Sequence, residues 1–91
     1  MDDNVHISSL VAQVKPQSID TIKAQCSARE GVEIPAVDPV GKLVVLLELP
    51  SQRHIVDFID WLQEREGVIS VSMVYHHVES RLALEQEVQG T

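Results

Sequence analysis

Apolar and polar residues alternate along two segments, one near each end of the chain. The first is VHISSLVAQV, residues 5–14, which stops at Lys15-Pro16, and the second is GVISVSMVYHH, residues 67–77. Alternation with a period of two is typical of a strand that buries one face. Proline ends such a strand because it has no N–H to donate. We therefore predict one strand in each segment.

Two further strands are predicted in the middle of the chain. The segment VEIPAV, residues 32–37, contains Pro35, which favours the edge of a sheet. Asp38-Pro39-Val40-Gly41 has the residue order of a type I turn. The segment KLVVLLEL after the turn is apolar on both faces except for Glu48, as expected of a central strand. The two strands should form a hairpin.

Two segments have apolar residues at helical spacing. Ser18 is the predicted N-cap of the first helix and Ser51 that of the second, while Gly31 and Gly67 are the predicted stops. The apolar stripe consists of Ile19, Ile22 and Cys26 in the first helix and of Ile55, Phe58, Ile59 and Leu62 in the second.

The predicted order is therefore βαββαβ, an α+β chain of the ferredoxin-like class. Right-handed crossovers place the first and third strands in the centre of a four-stranded antiparallel sheet and both helices on one face. We predict a single domain over residues 1–79. Residues 80–91 are polar with scattered leucines and are predicted to be a frayed helix or a disordered tail.

Two helices cover only one side of such a sheet, and we call the other side the open face. Strand alternation assigns residues to it, and it places Tyr75 on the side of the core. The predicted open-face residues are Ile7, Ser9, Val11 and Gln13 of the first strand, Val44, Leu46 and Glu48 of the third, and Val68, Ser70, Ser72, Val74 and His76 of the fourth. Because a contiguous apolar field is seldom left bare, it is predicted either to dock a peptide or to be covered by a dimer partner or the tail.

Charge and composition narrow the possible partners. The chain has 91 residues, with 14 acidic side chains against 7 basic ones and a formal charge of −7. Such a charge repels nucleic acid and favours a basic partner. No apolar run is long enough for a membrane helix, and the N-terminus lacks the features of a secretory signal. We expect a cytoplasmic protein, a monomer or weak dimer, that neither inserts into a membrane nor binds nucleic acid.

The residues that could carry chemistry do not form a recognisable site. His76 and His77 are neighbours in a strand and should point to opposite faces, so they cannot chelate one ion together. His6 could approach the end of the fourth strand, whereas His54 begins a distant helix. The single Cys26 lies on an apolar helix stripe and is predicted to be a small buried hydrophobic residue. We predict no enzyme, no bound cofactor and no metal.

Several functions known for this fold class are excluded because the chain lacks the motifs that they require. RNA-recognition domains present aromatic and basic residues on the sheet, whereas this open face offers Val, Ser and Glu. Metal-transfer domains carry a CxxC after the first strand, and amino-acid sensors usually carry a glycine there. This chain has Val14-Lys15-Pro16-Gln17 at that point. Of the functions considered for this fold class, only protein or peptide binding remains.

Four short motifs resemble the NapD family, the chaperones of periplasmic nitrate reductase. They are Ser9-Leu10-Val11-Ala12-Gln13, Gly31-Val32-Glu33, Gly41-Lys42-Leu43-Val44-Val45, and Gly67-Val68 followed by Val71-Ser72-Met73-Val74-Tyr75-His76. The resemblance covers about residues 5–79 in matching order and spacing.

The resemblance implies a cytoplasmic chaperone that binds the twin-arginine signal peptide of the NapA precursor. Binding would hold that precursor back from the Tat translocase while its molybdenum cofactor and iron–sulfur cluster are inserted. The competing prediction is a small-molecule-sensing regulatory domain that dimerises through its sheet.

Overall fold

The computed structural model describes residues 4–80, with side chains described for residues 4–78. It contains four strands and two α-helices in the predicted order. These are β1 Asn4–Val14, α1 Ile19–Ser27, β2 Val32–Asp38, β3 Lys42–Leu49, α2 Gln52–Gln63 and β4 Val68–Ser80, with a 3-10 turn at Pro16–Ser18 before α1.

The four strands form one sheet in the order β2-β3-β1-β4, and all three pairings are antiparallel. β1 and β3 are therefore central, while β2 and β4 are the edges. The predicted α+β ferredoxin-like fold is confirmed. The position of Pro35 is consistent with this order, because β2 is an edge strand and its register with β3 shifts between Glu33 and Ala36.

The core lies between the sheet and the two helices. Alternate residues of the central strands point into it and are fully or almost fully buried, as the apolar alternation predicted. The buried cluster consists of Leu10, Ala12 and Val14 of β1, Leu43, Val45 and Leu47 of β3, Val32 of β2, Ile22 and Cys26 of α1, and Ile55, Phe58 and Leu62 of α2. Because one cluster includes both helices, both pack on the same face of the sheet.

The turn between β2 and β3 is the one that its sequence predicted. The Gly41 N–H donates to the Asp38 carbonyl oxygen at 2.8 Å, and the Val40 N–H donates to Asp38 Oδ1 at 3.0 Å. Gly41 has a φ of 107°, and a Cβ there would collide with the Val14 carbonyl oxygen. Glycine is therefore required at this position by its backbone conformation and by the close approach of β1.

The two predicted helix caps have different outcomes. Ser51 Oγ accepts a hydrogen bond from the His54 N–H at 3.2 Å, so the predicted cap of α2 is confirmed. Ser18 occupies the N-cap position of α1 but its side chain makes no capping hydrogen bond. That prediction is wrong because Pro16–Ser18 already form a 3-10 turn, which leaves Ser18 with φ −100° and ψ −3° instead of the extended backbone of a capping serine.

β4 continues to Ser80, so this residue belongs to the strand and not to the predicted tail. The rest of that predicted tail, residues 81–91, lies outside the described residues. Among the residues that the structure describes, no helix is long and apolar enough to cross a membrane.

Candidate functional site

The centre of the open face is built by β1 and β3, whose register is continuous from one end of the pairing to the other. Residues that pair across an antiparallel ladder lie on the same face of the sheet. Pairing joins Ile7 with Glu48, Ser9 with Leu46, Val11 with Val44 and Gln13 with Lys42. The alternation of these strands is confirmed, since their predicted open-face residues lie together and opposite the buried side chains of the core.

This central part of the open face is only partly shielded from solvent. Ile7, Val11 and Val44 are half-buried, and Leu46 is 37% exposed. On the other face of the same strands, Leu10 and Val45 are fully buried. The open face therefore presents apolar side chains that their neighbours in the sheet cover only in part.

Charged residues surround this apolar centre, and sequence reasoning missed most of them. Lys42 lies on the open face through its pairing with Gln13, and it pairs with Asp38 on the other side. Glu33 pairs with Leu46, which places it on the same face as Glu48. The parity that identified Val44 also points to Lys42, but the β2 acids could be found only once the β2–β3 register was known.

The start of β4 departs from the prediction. Ser70 and Ser72 pair with Gln13 and Val11, so both lie on the open face as predicted. Val68 does not: it pairs with Val14 and packs against the core. The assignment of Val68 is wrong because the register shifts by one residue at Ile69, and such a shift turns every side chain beyond it to the other face.

A second register shift changes the end of β4 in the same way. Ser9 pairs with Tyr75 and Leu10 with Met73, which leaves Val74 as an extra residue that is 65% exposed. Pairing therefore puts Tyr75 on the open face, although alternation had placed it on the core side. Val74 itself has no partner that fixes its face.

The same shift moves His76 to the face that carries the helices. His76 pairs with the fully buried Ser8, and its Nδ1 lies 2.8 Å from the Ser8 Oγ. The assignment of His76 to the open face is therefore wrong. His77 pairs with Ile7 and takes the open-face position instead, where its ring stacks on Tyr75 with centroids 6.1 Å apart.

The divergence of His76 and His77, predicted from strand geometry, agrees with this register. His6 approaches the end of β4 as predicted, and its ring centroid lies 5.5 Å from that of His76. Within residues 4–78, no group of three or more His, Cys, Asp or Glu side chains is arranged to hold a metal ion.

Cys26 is fully buried on α1 within the core. Burial raises the pKa of its thiol from 9.0 to about 11, and the nearby Arg29 opposes this rise. The thiol stays protonated near neutral pH and is a poor nucleophile. Its place in the core agrees with the role predicted for it.

Comparison with known proteins identifies relatives of this arrangement. The sequence model of the family described as NapD protein matches residues 5–80. The chain is 35% identical over 82 residues to the chaperone NapD of Escherichia coli strain K12, an alignment that covers 89% of this chain and 94% of that protein. It is 33% identical over 72 residues to the chaperone NapD of Haemophilus influenzae, covering 78% of this chain and 77% of that protein.

Solved structures give a consistent result. The solution structure of the E. coli Tat proofreading chaperone protein NapD matches with a TM-score of 0.75 and 35% identity, covering 89% of this chain and 86% of that one. A transcriptional regulatory protein of the AsnC family from Pyrococcus furiosus matches with a TM-score of 0.65, covering 76% of this chain and 49% of that one. At 18% identity it shares the fold alone. Since the family match spans almost every described residue, this chain belongs to the NapD family, whose named members are chaperones and not enzymes.

Proposed function

We propose that the open face binds the twin-arginine signal peptide of the NapA precursor. The protein would act in the cytoplasm, where it would hold the precursor back from the Tat translocase during cofactor insertion. A relative with 35% identity is described as a Tat proofreading chaperone, which supports this choice of client class.

The observation that carries the proposal is the apolar centre of the open face. Val11 and Val44 are direct partners across β1 and β3, and Leu46 continues the same row toward Ser9. Among the described residues, no helix packs on this side. Removing such partly exposed apolar side chains from water is favourable, and it needs only a partner with an apolar side of its own.

The charge around this centre fits a basic partner. Glu33, Asp38 and Glu48 lie on the open face against one base of β3, Lys42. The whole chain carries a formal charge of −7. A signal peptide with a basic region and an apolar stretch would be attracted by the field of the protein and held by the apolar contacts.

A single charge at the centre of the open face tests the location of binding. We expect Val44→Asp to weaken binding of a synthetic twin-arginine signal peptide about tenfold or more, because it places an acid where an apolar contact is made. Isothermal titration calorimetry measures the affinity, and circular dichroism checks that the domain stays folded. Val56→Asp is the matched control, because Val56 is a 45% exposed residue of α2 on the other side of the sheet.

Val74→Asp supplies a variant that should fold even if Val44→Asp does not, because Val74 is 65% exposed. Val74→Asp should weaken peptide binding less than Val44→Asp does, because Val74 is itself unpaired but lies along β4 between the open-face residues Ser72 and Tyr75. Equal weakening by Val56→Asp, or no binding of the peptide to the unchanged protein, would contradict the proposal. Binding should also show a negative heat-capacity change and weaken when the peptide arginines become glutamine.

The competing function, a small-molecule sensor that dimerises through its sheet, would bury the same open face against a second copy. Light scattering of the purified protein separates the two, because the sensor is a dimer under conditions where the peptide-binding protein stays a monomer or weak dimer. An amino-acid ligand of the sensor would also raise the melting temperature.

A further inference from the structure

A cleft of about 840 Å³ lies at one end of the sheet, where β3 ends and α2 begins. We call it the end cleft. Apolar side chains of Val5, Leu49 and Phe58 contribute to its lining, and so do the acidic residues Glu30, Glu48 and Asp57. A cleft that combines an apolar surface with a few converging polar groups is a typical binding site.

The end cleft has an excess of negative charge. Its charged lining residues are the three acids and one base, Arg29, and the imidazole of His54 is its remaining titratable group. The Arg29 guanidinium lies over aromatic rings, with its Cζ 4.5 Å from the Trp61 ring centroid and 5.6 Å from that of Phe58. Among the described side chains, none of the three carboxylates forms an ion pair. The cleft therefore offers unneutralised acids to a cation.

The arrangement of the acids selects the kind of cation. They belong to β3, to α2 and to the loop between α1 and β2, and they do not converge closely enough to form a metal site among the described residues. A guanidinium is large and planar, and it can donate to more than one carboxylate at once. The methylene groups that carry it pack well on apolar surface, which the half-buried Leu49 and the exposed Pro50 provide, whereas Val5 and Phe58 line the cleft but are almost fully buried.

The end cleft is continuous with the open face through Glu48. This residue pairs with Ile7 on the open face and also lines the end cleft. It further lines a smaller depression with Ile7 and Leu46. A peptide lying on the open face can therefore extend a long side chain past Glu48 toward Asp57 of α2.

We propose that the end cleft receives an arginine side chain of the bound signal peptide. This inference rests on the function proposed above and adds to it a specific place for a guanidinium. Glu48 belongs to both surfaces, whereas Glu30 and Asp57 line only the cleft. Those two residues distinguish a guanidinium held in the cleft from one held anywhere on the open face.

The test compares two acids of the same helix. Asp57→Asn and Asp60→Asn each remove one negative charge from α2, but Asp60 does not line the cleft. With the twin-arginine signal peptide as the probe, we expect Asp57→Asn to weaken binding about three- to tenfold and Asp60→Asn less than about twofold. Glu30→Gln should act like Asp57→Asn. A peptide with both arginines replaced by glutamine should bind all four proteins about equally weakly.

Each outcome decides the inference. If Asp57→Asn and Asp60→Asn bind the signal peptide with equal affinity, the end cleft does not hold the arginine. The proposal that the peptide binds to the open face would not be affected. If the signal peptide does not bind the unchanged protein, the proposed function fails. The cleft is then tested by titrating the arginyl-arginine dipeptide amide at millimolar concentration. Amide shifts at Glu30, Gly31 and Asp57 that disappear in Asp57→Asn would support it, and no shifts would overturn it.

Discussion

Leu46 and Leu47 are consecutive residues of β3 with the same side chain and opposite surroundings. Leu47 is 1% exposed and belongs to the core under the helices, whereas Leu46 is 37% exposed on the open face. The hairpin and the pairing with β1 hold both in one regular strand. What separates them is the face of the sheet alone.

The comparison shows how one strand divides its side chains between two tasks. Apolar residues under the helices contribute to folding, because neighbours on all sides exclude water from them. Apolar residues on the open face remain partly exposed to water, so a partner that covers them would still gain free energy from their burial. A strand that is apolar on both faces, as β3 is, therefore suits the peptide-binding function proposed for the open face.

Alanine substitution of the two leucines gives the largest difference. Leu47→Ala should lower the free energy of unfolding by about 2–5 kcal/mol, because it removes a packed side chain and leaves a cavity. Leu46→Ala should cost less than about 1 kcal/mol, because the side chain is already partly in water. Urea denaturation followed by circular dichroism measures both. Similar costs would mean that the open face is buried in solution, as in a dimer.

A smaller effect is expected from Cys26 in alkaline solution. The unfolded thiol ionises near its ordinary pKa of 9.0 and the folded one near 11, so the unfolded chain loses its proton first as the pH rises. The contribution of Cys26 to stability is therefore complete below pH 9 and is lost as the pH approaches 11, with a slope of about 1.4 kcal/mol per pH unit for one proton.

Cys26→Ala removes this titration and supplies the control. The stability of the unchanged protein should fall more steeply between pH 9 and 11 than that of Cys26→Ala, although other groups titrate in both. Parallel denaturation curves across this range would contradict the burial of the thiol. Iodoacetamide at pH 8 gives a second readout, because it should modify Cys26 quickly only after unfolding.

The sequence predicted the β1–β3 half of the sheet well, and the reason is physical. Alternation assigns a face only while the register stays continuous, and it does so from His6 to Gln13. β4 contains two extra residues, Ile69 and Val74. Each shifts the register by one residue, so the side chains that follow it lie on the face opposite to the one that alternation predicts. The alternation of the sequence continues through both positions without a proline, a glycine or a charged residue to mark them, so the two shifts could not be predicted.

The helix caps and the end cleft differ in how far they can be predicted from residues that are neighbours in the sequence. Ser51 follows the end of a strand and caps α2 as predicted, whereas Ser18 follows Pro16, which begins a tight turn of its own. The end cleft was not predicted at all, because it joins β1, β3, the segment before β2 and α2. Residues so far apart in sequence come together only through the tertiary fold.

The smallest expected effect compares two serines on the two faces and tests the revised position of His76. Ser8 is fully buried and bonded to His76, whereas Ser72 is exposed on the open face. Ser8→Ala should cost about 1 kcal/mol, because the exposed His76 ring can replace the lost partner with water. Ser72→Ala should change stability by less than about 0.5 kcal/mol.

The ring signals of His76 make this last comparison specific. If β4 is shifted as described, Ser8→Ala should move the imidazole resonances of His76 and, through the ring contact at 5.5 Å, those of His6. Ser72→Ala should leave both unchanged. Without the shift at Val74, His76 would share the open face with Ser72. Its imidazole resonances would then not change in Ser8→Ala, and that result would support the open-face position that simple alternation predicts for His76.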